Sequence, residues 1–370
     1  MASIDMPQAF RKGVSIGKAW KPQDVVFGVG CLTELRERLP STWSVRRLER
    51  GRARDMTIQV VAPDGRIGTF AVEAKTLLDP RDVPAVAHEL REGPPGRQAS
   101  AGVVLARYLS PRAREALARS GVSYMDATGN VSVHLDDPAL ALQSSGADRD
   151  PWRAPDRPTN TLRGLPAARV VRALVERRPP WKVRELAEVS GASLGSTART
   201  VDFLEREALL KRDEQKRIVE VDWAELLDRW AADYTIDRGR RTAWRFAPRG
   251  AASVEQIVAG LGDGYAISGS LAARRVAPYA EPRLALLYVE DLSDAATALD
   301  LAEAPDANNV LLVEPRDDLP FVGTRTIDDV RYVALGQIAV DLLTGPGRMP
   351  AEGRALIEWM RTNEDARRRP

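Results

Sequence analysis

Five side chains between positions 193 and 200 have the types and spacing for contact with nucleic acid: Ser193, Ser196, Thr197, Arg199 and Thr200. Leu194, Ala198, Val201, Leu204 and Ala208 recur among and after them at helical spacing and are expected to face a core. That leaves short hydroxyls and one guanidinium for phosphates and base edges in a major groove, with Arg199 the candidate for base contact. Farther on, Lys211, Arg212, Lys216 and Arg217 surround a polar turn before the alternating run 218–221. Cations so placed suit phosphate contact, which positions a protein on a duplex without reading its sequence.

The elements that must position these groups are legible on the N-terminal side. A helix is expected at 165–177, with Ala168, Val171, Leu174 and Val175 on its apolar face, ended by Pro179-Pro180. A second, at 182–190, buries Val183, Leu186 and Ala187; Gly191 supplies the tight turn, and the Ser193 hydroxyl caps the third helix. Residues 163–221 therefore read as a winged helix-turn-helix. Positions 163–217 hold 13 Lys and Arg against 8 Asp and Glu in a chain whose net charge is only +2, so the positive excess is concentrated in this module.

A second constellation lies upstream. Asp64-Gly65 is a hairpin signal between two alternating runs. Met56, Ile58 and Val60 share a face with Phe70 and Val72, while Asp55, Thr57, Gln59, Glu73 and Lys75 fall on the other. A turn centred near Asp64 sets position 55 opposite 73, so that Asp55, Glu73 and Lys75 converge at one end of the hairpin. This arrangement resembles the PD-(D/E)xK nuclease superfamily. The resemblance implies a restriction-endonuclease-like α/β domain in which Asp55 and Glu73 hold Mg2+, Lys75 orients or activates the attacking water, and Glu34 or Glu37 adds a helical carboxylate. The same residues suit a solvated, salt-bridged face on a catalytically silent domain.

At 370 residues the chain is expected to form a multidomain α/β protein. The domains expected are an α/β domain over 1–144, a linker over 145–160, the winged helix over 161–236 and a second α/β domain over 237–370. In the last, strand-like runs at 265–268, 284–289 and 309–313 alternate with helical ones at 254–261, 294–302 and 337–343. Ser268-Gly269-Ser270 after a strand, with Glu290-Asp291 ending the next, resembles a nucleotidyltransferase pattern. Adjacent carboxylates point to opposite faces of a strand, so a degenerate relative fits better than an active one.

Two further stretches, 106–130 and 334–359, together with the central module, resemble the AbiEi-like antitoxin family of type IV toxin–antitoxin and abortive-infection (phage-defence) systems. The resemblance implies a DNA-binding transcriptional repressor paired with a nucleotidyltransferase-like toxin. Within 106–130, the segment 126–130 reads as a turn with a structural role.

Composition removes several alternatives. One cysteine, Cys31, permits no intramolecular disulfide, and two histidines, His88 and His134, leave no zinc site of the usual kind. No apolar run approaches the roughly 18 residues of a membrane span. The N-terminus lacks the pattern of a secretory signal, so a bacterial cytoplasm is expected. DNA binding needs no cofactor on this reading; Mg2+ enters only with the nuclease alternative. A homodimer on a palindrome and a monomer on repeated sites both suit the module.

Overall fold

The computed structural model describes residues 33–48, 57–92, 99–152, 161–237, 239–304 and 307–367. These residues fall into two compact units, one holding positions up to 152 together with 206–208, the other 161–205 and 209–367.

The first unit is one mixed sheet of seven strands in sequential order: β1 (Ser44–Leu48), β2 (Thr57–Val61), β3 (Ile67–Leu77), β4 (Ala101–Tyr108), β5 (Ser123–Asp126), β6 (Val131–Leu135) and β7 (Leu140–Ser144). The outer pairings are antiparallel, whereas β3–β4 and β4–β5 are parallel. Parallel neighbours need a crossover, supplied by α2 (Val83–Glu92) and α3 (Pro111–Arg119). These helices cover one face through Val83, Val86, Leu90, Ala113 and Leu117 against Ala71, Val104 and Ala106. The helical segment 33–38 (α1) brings Leu35 to the other face, with Ile58, Val60, Phe70, Val72 and Met125. The β2–β3 register runs from Thr57↔Ala71 to Val61↔Ile67 and so centres on Asp64, as the hairpin signal requires. Strands β1, β5 and β7 are additions to the sequence reading.

The second unit begins with α4 (Leu165–Glu176), α5 (Val183–Ser190) and α6 (Leu194–Arg206), followed by the hairpin β8 (Leu210–Arg212) and β9 (Ile218–Val221) and by α7 (Trp223–Ala231). Gly191, at φ +67°, closes α5 in the left-handed region that favours glycine. A six-stranded sheet follows, in the order β10-β13-β12-β11-β15-β14: β10 (Arg241–Arg245), β11 (Tyr265–Ser268), β12 (Ala285–Val289), β13 (Val310–Glu314), β14 (Arg325–Ile327) and β15 (Val330–Tyr332). Its helices are α8 (Val254–Ile257), α9 (Gly269–Ala273), α10 (Leu292–Ala298), α11 (Leu335–Thr344), α12 (Met349–Thr362) and α13 (Glu364–Arg367).

The sequence divides this region at 236/237, but its core is continuous. Leu174, Leu186, Val201, Leu204 and Trp230 belong to the same buried cluster as Ile267, Leu286, Ile338, Leu342 and Met360. At Gly336 α11 lies close against α4, since a Cβ there would sit 3.2 Å from Val175 Cγ1. Arg172, only 3% exposed, clamps this approach. It donates to Glu176, to the carbonyls of Leu319 (3.3 Å) and Val322 (2.9 Å), and to Gln337 Oε1 (3.4 Å). None of the described helices is long and apolar enough to cross a membrane.

Candidate nucleic-acid interface

The first turn of α6 is built by local hydrogen bonding. Ser193 Oγ accepts from the Ser196 amide (3.2 Å), the cap that the sequence implies, and donates to Ser196 Oγ (3.0 Å). Ser196 Oγ in turn accepts from Arg199 Nη2 (3.2 Å). Positions 193, 196 and 199 are successive i, i+3 neighbours, so this forms one hydrogen-bonded row along the helix. Ser193 and Arg199 are exposed and Ser196 half-buried.

The phase of α6 differs from the expectation at both ends of the pattern. Thr197 (0% exposed) and Thr200 (8%) lie on the buried side and do not join the outward row. Their hydroxyls donate to the carbonyls four residues earlier, Ser193 (3.0 Å) and Ser196 (2.9 Å). This back-bonding satisfies the hydroxyl internally and lets threonine sit in a core. Conversely, Leu194 and Ala208, expected in the core, are exposed, and Ala198 is half-buried. Val201 and Leu204 are buried as expected, joined by Phe203.

The hairpin is fixed to α6 and to the segment before α5. Arg212 pairs with Asp202 (2.9 Å) and Glu205 on α6; chiefly the Glu205 hydrogen bond holds its guanidinium pKa above the usual value. Ile218 exchanges backbone hydrogen bonds with Trp181. Arg212, expected as a phosphate contact, is thus paired with two carboxylates of α6. At the tip, Arg217 pairs with Asp213 (2.7 Å), and Lys211 pairs across the ladder with Glu220 (2.8 Å). Asp213 is held below the usual carboxylate range: desolvation opposes this, but the Arg217 amide and side chain prevail. Lys216 is exposed and forms no ion pair among the described residues. Surface pairs of this kind are weak, near 0–1 kcal/mol, so Lys211 and Arg217 can exchange their carboxylates for a phosphate at small cost.

The second constellation is described only in part, because Asp55 lies outside the described residues. Glu73 and Lys75 share one face of β3, and Lys75 Nζ lies 2.6 Å from Glu73 Oε1. Glu34 pairs with Arg38 (2.5 Å), and Glu37 is exposed. Among the described residues no three His, Cys, Asp or Glu side chains gather as a metal site would require. Asp126 has a structural role: its carboxylate accepts from the amides of Leu109, Thr128 and Asn130 and from the side chains of Thr128 and Asn130. Asp291 caps α10 through the amides of Ser293 and Asp294, which hold its carboxyl below the usual range.

One group not anticipated from the sequence is Asp341 on α11, fully buried beneath β11 and β12. It accepts from Ser268 Oγ (2.6 Å), Tyr234 OH (2.7 Å), Tyr288 OH (3.0 Å) and Gln337 Nε2 (2.9 Å). Burial raises its pKa, against these hydrogen bonds and Arg240. The available signal was a lone acid inside the apolar run 338–343. Since Gln337 also accepts from Arg172, this network continues into α4.

No curated protein and no solved structure matches the chain. A family model described as "Transcriptional regulator, AbiEi antitoxin, Type IV TA system" matches residues 217–355, from the start of β9 into α12. The matched segment thus holds the six-stranded sheet and Asp341, while α4, α5 and α6 precede it. Over residues 217–355 the chain is thus similar to the AbiEi antitoxin family of transcriptional regulators.

Proposed function

We propose that residues 163–221 act as a winged helix-turn-helix that binds double-stranded DNA, and that the protein represses transcription as the antitoxin of a type IV system. The observation that carries this reading is the exposed row Ser193–Ser196–Arg199 on α6, with the hairpin bearing Lys211, Lys216 and Arg217 locked to the same helix by Arg212. A helix presenting hydroxyls and a guanidinium is suited to a major groove, and a hairpin fixed beside it to the flanking backbone. The family match supports the regulatory role and a toxin as partner; a nucleotidyltransferase-like toxin is the form we propose.

The test is fluorescence anisotropy of the full-length protein with a duplex enriched from a random-core library, against a random duplex, at 50–200 mM salt. Arg199→Ala is expected to weaken the enriched duplex by roughly 5- to 150-fold, the 1–3 kcal/mol of a base contact. Absence of any salt-dependent binding overturns the reading. Magnesium-dependent cleavage by Asp55, Glu73 and Lys75 is the competing proposal, supported by Glu73 and Lys75 lying on one strand face. Cleavage abolished by Glu73→Ala establishes it, and no cleavage of any duplex in Mg2+ or Mn2+ dismisses it.

A further inference from the structure

The first turn of α6 carries a side chain for which neither the core nor the polar row provides a role. Leu194 is 54% exposed, immediately after the capping Ser193 and before Gly195, which has no side chain to shield it. Val189, at the end of α5, is also exposed (37%). A leucine at the head of a helix whose outward groups are otherwise hydroxyls and a guanidinium leaves apolar surface in water without stabilising the fold.

We infer that Leu194 contacts the 5-methyl group of a thymine in the major groove, setting a base preference separate from that of Arg199; the inference rests on α6 being the reader of a duplex. Thymine is the base that presents a methyl group there, and beside it lies the O4 acceptor. The side chains around Leu194 match that pair: an aliphatic group for the methyl, with the Ser193 and Ser196 hydroxyls and Arg199 as donors to neighbouring acceptors. A protein partner fits less well. Two aliphatic side chains, Leu194 and Val189, fall far short of the roughly 800 Å² that each partner buries in a stable protein interface. A dry apolar partner would also leave the remaining guanidinium donors of Arg199, beyond the one bonded to Ser196, facing apolar surface.

The experiment uses the full-length protein and the enriched duplex defined above, with each thymine replaced singly by uracil. That replacement removes only the 5-methyl group. For the wild type, one position per site is expected to lose about fourfold in affinity, equal to ~0.8 kcal/mol for a buried methyl-sized group at 1.4 kcal/mol per decade. Leu194→Ala is expected to bind the thymine and uracil duplexes equally, at the wild-type affinity for the uracil duplex. Arg199→Ala is expected to bind more weakly throughout while keeping the fourfold preference. Circular dichroism checks that Leu194→Ala is folded, as its exposed position predicts. Equal thymine-to-uracil losses in wild type and Leu194→Ala, or no loss at any thymine, overturn the inference and leave DNA binding standing. Failure of the wild type to enrich any duplex overturns both.

Discussion

Replacing Arg172 by leucine tests whether the three-helix segment and the family-matched domain fold as one body. Arg172 is 3% exposed and its partner Glu176 has a side chain 14% exposed, so the substitution leaves a carboxylate nearly buried without its cation. It also removes the donors to the carbonyls of Leu319 and Val322 and to Gln337. Breaking one side of a buried pair costs about 3–5 kcal/mol, whereas replacing both ions by apolar groups is close to neutral. Arg172→Leu is therefore expected to lose about 4 kcal/mol, and Arg172→Leu combined with Glu176→Leu to recover at least half of that. Hydrogen exchange measured by mass spectrometry resolves the effect by peptide. In Arg172→Leu, α4 and α11 are expected to lose protection together, by roughly 10²- to 10³-fold for amides that exchange through opening of the whole unit. A loss below ~1 kcal/mol, a double variant as unstable as the single one, or deprotection of α4 with α11 unchanged would refute the shared core.

Thr197→Val and Thr200→Val are expected to leave affinity for the enriched duplex within about twofold, because both hydroxyls bond inward to α6 carbonyls; a loss comparable to that of Arg199→Ala would place them on the DNA. Lys216→Ala is expected to weaken specific and random duplexes alike and to lower the salt-dependence slope by about one phosphate contact; a change in base preference instead would contradict its place in the hairpin. Asp341 has a folded pKa raised by burial above its ordinary 3.8, so its contribution to stability is complete below that pH and is lost as pH rises through the folded value. Against Asp341→Asn, urea midpoints of the wild type should fall from pH 4 upward, and parallel profiles would sink the assignment. Glu73→Ala is expected to leave the duplex affinity unchanged; a marked loss would show that the first unit contributes to DNA binding.

Local chemistry carried much of this protein into its sequence. Asp64-Gly65 sets a hairpin whose register is centred on the turn, and Gly191 and Ser193 end one helix and cap the next through backbone conformation and a nearby hydroxyl. The strands at 265–268, 285–289 and 310–314 are legible because their side chains are buried or nearly so and read as short apolar runs. Tertiary structure decided what no local pattern contains. The apolar spacing of α6 admits two phases, and the core selected the one that buries Thr197 and Thr200 and turns Leu194 outward. Threonine tolerates burial because its hydroxyl finds a carbonyl one turn back, whereas a leucine in the first turn of α6 stays in solvent. The partners of Arg172 and Asp341 mostly lie tens of residues or more away in the chain. Burying a charge is tolerable only when donors or acceptors converge on it. That convergence, which joins the helices of the proposed DNA reader to the family-matched domain, exists only once the chain has folded.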